Sequence, residues 1–194
     1  MTQSSQPKRG DVLVLVGTRK GGFILSSEPA RNQWSVSEPQ FAGGEPVAFD
    51  STPGAPKVSG PAGDIFHMAY DPRDGGTIVA AISSIIWGPE IHRSRDYGKT
   101  WQSSSEGPRF SDGDRTVSKV WYLEPGRAEE PDVVYAGVEP AALFKSEDGG
   151  DTWSEVIGLS NHPTRTEWQP GLGGLCLHSM VLDPSRPGSG YSQR

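Results

Sequence analysis

The octapeptide "SRDYGKTW", Ser94–Trp101, returns fifty-two residues further on as "SEDGGDTW", Ser146–Trp153. Ser94, Asp96, Gly98, Thr100 and Trp101 keep the same offsets as Ser146, Asp148, Gly150, Thr152 and Trp153. Every repeated position has a role in a tight turn between two strands. The aspartates accept hydrogen bonds from turn N–H groups, and the Ser and Thr hydroxyls bond locally. The glycines take positive φ at no steric cost. The indoles open the next strand and cover the edge of a core. None of these roles needs a substrate, so the motif reads as structural, as turn chemistry at a fixed period does in repeat folds.

The flanking text repeats as well. "FHMAYDPRDGGTIVAAISSIIWGPEIHRSRDYGKTWQ" and "KVWYLEPGRAEEPDVVYAGVEPAALFKSEDGGDTW" each read as four short strands. The first strand ends in an acid and a proline, Asp71-Pro72 and Glu124-Pro125. Four short strands at this period are the pattern of propeller blades. A further copy starts at "LHSMVLDPSRPG", where Asp183-Pro184 matches Asp71-Pro72, and goes no further than its first strand. A degenerate copy comes first, "VLVLVGTRKGGFILSSEPARNQWSV", with Trp34 but no proper motif before it. The expected fold is all-β: a partial propeller of about three four-stranded blades plus a stub.

The expected organisation is a disordered tail over 1–10, blades over 11–184 and an irregular tail over 185–194. Residues 43–64, "GGEPVAFDSTPGAPKVSGPAGD", read as a flexible insertion because they are rich in Pro, Gly and Ser. Closed rings hold roughly four to eight blades, so the chain reads as the N-terminal part of something larger or as a truncated frame. Its two end blades are expected to expose apolar residues, among them Val14, Val16, Ile24, Val181 and Leu182, and to favour self-association.

Composition agrees with short strands and many turns, since Gly (25) and Pro (17) exceed a fifth of the 194 residues. The net charge of −6 and the absence of any basic run beyond "PKR" exclude a nucleic-acid surface. No apolar stretch approaches a membrane span, and the N-terminus has no signal-peptide core, so no membrane role and a cytoplasmic location are expected. The single cysteine, Cys176, reads as a small buried hydrophobe. No cofactor is indicated. His67, His178 and Cys176 lack zinc-type spacing, so no metal is expected.

The motif Ser-x-Asp-x-Gly-x-Thr-Trp resembles the Asp-box, or BNR repeat, of the sialidase-like propellers. The wider text "VGTRKGGF", "YAGVEPAALFKSEDGGDTW" and "HPTRTEWQPGLGGLCLHSMVLDP" resembles bacterial BNR proteins named exo-alpha-sialidase or glycosyl hydrolase, over roughly Val12 to Pro184. The resemblance implies a propeller whose Asp-box lies away from any active site. Sialidases of the family use a Tyr nucleophile with a Glu, an Asp acid/base and three arginines, the first in an Arg-Ile-Pro stretch. This chain has no Arg-Ile-Pro; Arg19, in "GTRKGG", lacks that context, and no catalytic residue carries over. The resemblance extends to non-catalytic propellers that assist photosystem assembly. It implies a ligand- or protein-binding scaffold, with a truncated exo-alpha-sialidase-type glycoside hydrolase as the alternative.

In an up-and-down blade, alternate turns lie on opposite faces. Opposite the motif face come Arg19 and Lys20, Trp87 and Glu90, and Glu139 from hairpin turns. Asp64, Arg115, Lys119, His162, Arg165, Glu167 and Trp168 come from the links, and His67 and His178 from the starts of first strands. Arg19, His67, Glu139, His162, Arg165, Trp168 and His178 are the candidate ligand contacts. Cations, carboxylates and aromatics at one mouth suit a polar or anionic small molecule, a glycan or a protein partner. The loop "NHPTRTEWQPGLGG", Asn161–Gly174, is the densest part of this set.

Overall fold

The computed structural model describes residues 7–41, 47–48, 57–58, 63–84, 88–171 and 173–183. β1 (Val12–Thr18), β2 (Gly21–Ser27) and β3 (Trp34–Val36) form one antiparallel sheet in chain order. β4 (Val47–Ala48) and β5 (Lys57–Val58) pair with each other. β6 (Asp64–Tyr70), β7 (Ile78–Ser84), β8 (Gly88–Ser94) and β9 (Gln102–Ser103) form a second sheet. β10 (Lys119–Pro125), β11 (Val134–Glu139), β12 (Ala142–Ser146) and β13 (Ser154–Glu155) form a third. Helix among the described residues is limited to α1 (Ile157–Ser160) and a 3-10 turn at Arg165–Glu167. The fold is all-β: sequential up-and-down sheets packed face to face as blades 1, 2 and 3 of a partial propeller.

The ladders show that the blades are copies. Ser27 lies opposite Val12, Ser94 opposite Ile78 and Ser146 opposite Val134. Three residues after each Trp, a backbone N–H returns to the third strand: Ser37 to Ile24, Ser104 to Ile91 and Val156 to Leu143, at 2.8–2.9 Å. β1 is therefore a second strand, and blade 1 has no inner strand among the described residues. In β7 "IVAAISS" and β11 "VYAGVE", apolar residues point to both faces because each strand lies between two packed layers. One core joins Leu13, Leu15 and Ile24 of blade 1 to Ile65, Met68 and Ile78 of blade 2. The next joins Val79, Ala81 and Ile91 to Val120, Leu123 and Phe144 of blade 3.

Both motif copies close in the same way. The Ser94 hydroxyl donates to Asp96 Oδ1 (2.8 Å) and accepts the Gly98 N–H (2.7 Å). Asp96 also accepts the N–H groups of Lys99 and Thr100 and the Thr100 hydroxyl. Ser146, Asp148, Gly150, Asp151 and Thr152 repeat every one of these bonds. Each turn then docks on the preceding blade. Trp101 Nε1 donates to Gln40 Oε1 at 2.9 Å, and Gly98 has Ile24 so close that a Cβ would collide with it. In blade 3, the Arg93 guanidinium donates to the carbonyls of Asp148 and Gly149, and the Ser104 hydroxyl donates to the carbonyl of Gly150.

Several sequence expectations change on this frame. Asp71 and Gly126 are structural equivalents, each donating its N–H back across the hairpin, to Thr77 and Val133. Glu124 and Pro125 instead lie within β10, opposite Tyr135 and Val134, at the positions that Ala69 and Tyr70 hold in β6. Blade 1 keeps the turn without the motif residues: Ser27 donates to the Gln33 carbonyl, and Arg31 takes the positive φ (56°) of Gly98 and Gly150. Ile24 is not on an open face; it is buried against blade 2. The start of the further copy forms no strand ladder in 175–183. Leu177, Met180 and Leu182 instead pack on Val133, Tyr135 and Leu143 of blade 3, so Leu182 is also covered. Of the expected tails over 1–10 and 185–194, residues 1–6 and 185–194 lie outside the described residues, as does the 43–64 insertion apart from the paired β4 and β5 and residues 63–64, where β6 begins.

The motif carboxylates set an acid limit on stability. Asp96 is brought from 3.8 to about 2, chiefly by the Thr100 N–H. For Asp148, burial pushes upward, but bonds from Thr152, Ser146 and Asp151 outweigh it and hold the carboxyl well below its ordinary value. Both folded values lie below the unfolded one, so this stabilisation is complete above about pH 5 and is lost as pH falls through the folded values. Asp148→Ala is expected to cost ~1–2 kcal/mol at neutral pH, with the difference from the parent narrowing steadily as pH falls below 3.8; urea unfolding at stepped pH measures it. Arg31→Gly is expected to stabilise by ~0.5–1 kcal/mol by relieving the positive φ, read as a higher melting temperature.

Candidate functional site

The turns opposite the motif face carry a cleft of about 440 Å³ against blade 3. Trp121 on β10 and Glu139 at the end of β11 form its inner wall; Gln169, Gly174, Cys176 and His178 are among the residues of the outer wall. Local strand geometry sets the inner wall. The β10 bulge between Val120 and Tyr122 puts Trp121 out of the regular alternation, toward Phe66 of blade 2, with ring centroids 4.7 Å apart. Trp121 Nε1 donates to Glu139 Oε2 at 2.9 Å. Lys119 Nζ lies 3.5 Å from the same oxygen and 5.3 Å from the indole centroid. The indole is thus fixed on three sides, with a carboxylate and an ammonium at its rim. The outer wall is anchored by the Ala141 N–H to the Leu175 carbonyl (2.8 Å) and the Leu177 N–H to the Val138 carbonyl (3.0 Å).

Of the residues predicted from sequence, the structure brings Glu139 and His178 to this cleft. Cys176 is half-buried and lines the cleft, not the core, because its segment lies over the β11–β12 end as an outer wall. His162, Arg165 and Trp168 form a separate cluster. Trp168 Nε1 and His162 Nδ1 both reach Thr164 Oγ1, at 3.0 and 2.9 Å, and the Arg165 guanidinium lies 5.4 Å over the Trp168 ring. Beneath them, Glu155 accepts from Ser160, Ser111 and Arg115. Burial pushes Glu155 upward, but these bonds hold its carboxyl below the usual range. Burial and the Arg115 charge lower Arg165, against the pull of Glu155. The loop thus holds His162, Arg165 and Trp168 in one group and lends Gln169, Gly171, Gly173 and Gly174 to the cleft.

The other candidates are scattered. Arg19 pairs with Asp64 at 3.5 Å across blades 1 and 2. Glu90 holds His92 at 2.8 Å. Lys20 and Glu167 are exposed, and Trp87 lies outside the described residues. His67 serves the fold: its ring stacks on Tyr122 at 4.1 Å, and Nδ1 accepts the Leu123 N–H at 3.2 Å. Trp121 and Gln169 complete the cleft, and Lys119 stands behind it against Glu139 and the indole. Lys119 was legible as a loop cation and Gln169 lies in the loop Asn161–Gly174 singled out above, but Trp121 had no signal, since a Trp in an inner strand reads as core.

A second cleft of about 290 Å³ lies on the motif face between blades 1 and 2, near Ser26, Ser35, Ser37 and Tyr97. It is open because Ser26 occupies the ladder position that Arg93 fills one blade later. Among the described residues, no group of three or more His, Cys, Asp or Glu is placed to hold a metal ion. No described helix is long and apolar enough to cross a membrane.

The fold and cleft define an all-β protein of propeller-type blades with a cleft opposite its motif turns. No family model matches the chain, and no curated protein matches it. Among solved structures, it is similar to the GH74 xyloglucanase from Xanthomonas campestris, at 16% identity and a TM-score of 0.47. That match covers 76% of this chain, and this chain spans 22% of the length of the xyloglucanase.

His67 supplies a pH readout independent of any ligand. Burial lowers its pKa from 6.5, and the Leu123 N–H requires Nδ1 unprotonated. Its contribution is therefore present above the unfolded value and is lost as pH falls below it. NMR titration is expected to show the His67 ring protonating below pH 6.5, and His67→Phe to flatten the loss of stability between about pH 6.5 and 5.

Proposed function

We propose that this chain is a sialidase-like Asp-box propeller scaffold whose Trp121–Glu139 cleft binds a hydroxylated small molecule of glycan type without cleaving it. One observation carries the reading: an indole held rigid by Glu139, Lys119 and Phe66 borders a mostly apolar cleft into which Glu139, Gln169 and His178 bring a few polar groups. Glu139 Oε1, the Lys119 ammonium, the Gln169 amide and the His178 ring offer acceptors and donors to hydroxyl or carboxylate groups. Gly171, Gly173 and Gly174 let a ligand approach the backbone. The match of both motif copies to Ser-x-Asp-x-Gly-x-Thr-Trp supports the Asp-box assignment.

Binding is favoured over hydrolysis on chemical grounds. Most glycosidases need two carboxyl groups about 5–9.5 Å apart, and sialidases need a Tyr nucleophile. The described lining of this cleft has a single carboxylate, Glu139, and no tyrosine; the nearby Tyr122 ring is stacked on His67.

Intrinsic tryptophan fluorescence and calorimetry against a panel of soluble oligosaccharides and sialosides test the reading. Glu139→Gln is expected to weaken binding tenfold or more at an unchanged melting temperature, and Trp121→Ala to abolish it. Parent-like affinity in Glu139→Gln would remove the cleft from consideration. A fluorogenic sialoside is expected to show no turnover above background; turnover abolished by one substitution in this chain would establish the hydrolase reading instead.

A further inference from the structure

We propose that Lys119 sets the charge preference of the Trp121–Glu139 cleft and restricts it to uncharged sugars. The inference rests on the glycan-binding reading above and narrows it to one class of glycan. The ladder places the two charges. Lys119 is the register partner of Glu139 across β10 and β11, and its ammonium lies 3.5 Å from Glu139 Oε2. The same oxygen accepts the Trp121 Nε1–H at 2.9 Å. Both contacts come from β10. The other oxygen, Oε1, is the one toward the outer wall, since a Cβ added at Gly174 would lie 3.8 Å from it. One carboxylate thus has two tasks: Oε2 is held by the frame, and Oε1 serves the cleft.

The pairing determines what Oε1 can receive. The Glu139 side chain is 17% exposed, so water screens the pair only in part. The rest of the described lining is mostly apolar, with the Gln169 amide and the His178 ring among its polar groups. Apolar surroundings strengthen every charge interaction made there. A ligand carboxylate on this wall gives up its water and meets Glu139 ahead of Lys119, which is a like-charge contact. A ligand ammonium gives up its water for a carboxylate that already has a counter-charge. A sugar hydroxyl donates to Oε1 without taking a charge out of water. Of the groups that the wall could meet, the pair therefore selects hydroxyls. Blade 2 also pairs its charge at this level. The ladder positions equivalent to Lys119 and Glu139 are Asp64 and Ser83, and Asp64 takes its counter-charge from Arg19 of blade 1 at 3.5 Å.

Calorimetry of the chain with matched neutral, amine-bearing and uronate oligosaccharides, in the glucose and galactose series and with the amine protonated, tests the inference. The neutral member is expected to bind tightest and the uronate about tenfold more weakly or worse, with the neutral affinity the same at low and high salt. Lys119→Met keeps a stem against the indole and removes the charge. In that variant the ratio of amine to neutral affinity is expected to rise by about tenfold, while Lys119→Arg keeps the parent order; thermal melts check that both are folded. Tightest binding of the uronate or of the amine by the parent overturns the inference and leaves the cleft reading standing. A parent order that persists in Lys119→Met overturns the role of Lys119. Binding of none of these sugars removes the cleft reading and this inference with it.

Discussion

A carboxylate closing a turn on one side while the same turn docks on the neighbouring sheet is the contact that orders this molecule. Asp96 and Asp148 each collect the N–H groups of a tight loop, and the loop leans on the blade before it. A free hairpin of this size is marginal in water. Here the turn is satisfied internally, so its outer surface can be spent on an interface. The carbonyls of Asp148 and Gly149 are aimed outward to meet Arg93, and the backbone of Ser105 reaches Asp151. Gly149 is what admits the guanidinium, since a Cβ there would collide with it.

The same interface is built three times, with substitutions that show its tolerance. Blade 1 meets blade 2 through Ile24 and Met68, blade 2 meets blade 3 through Ile91 and Leu123, and blade 3 meets the following segment through Leu143 and Met180. Small residues, Ala80, Ala81 and Ala136, let the layers approach. The repeat is imperfect where polar groups are concerned. Trp101 finds Gln40, but Trp153 Nε1 is buried without a partner, because the position six residues after Trp101 is Gly107, where Gln40 follows Trp34. An unpaired buried indole N–H is a small local cost that the packing of Trp153 on the blade 2–3 core offsets.

The cleft follows from what the motif leaves over. Motif turns occupy one face with structural bonds, so variation falls on the other, where hairpin turns and links are freer. Glu139 and Trp121 come from strand ends in blade 3, while Cys176 and His178 come from the segment seated beside it. Neither group makes a site alone. The rigid indole, the shared Glu139 oxygen between Trp121 and Lys119, and the glycine-lined outer wall together give it shape.

Local chemistry was readable from the chain alone. The period of Ser, Asp, Gly, Thr and Trp implied hairpins and blades, and runs such as "TIVAAIS" implied strands, because turn geometry and strand propensity depend on near neighbours in sequence. Blade 1 was harder to read, since Pro29 and Arg31 stand at the positions of Asp96 and Gly98, and only the ladder reveals the shared turn. Glu124-Pro125 was misaligned for a related reason: the acid–proline pair falls inside β10, where in blade 2 it follows the strand, and only the ladder shows this. The functional candidates divided in the same way. His67 and the His162–Arg165–Trp168 group carried chemically suggestive side chains, and the fold sets both apart from the Trp121 cleft. Trp121 looked like core and became a wall of the cleft. Which side chains meet across blades depends on how whole sheets are placed against each other, and that placement is decided by contacts between residues far apart in the chain.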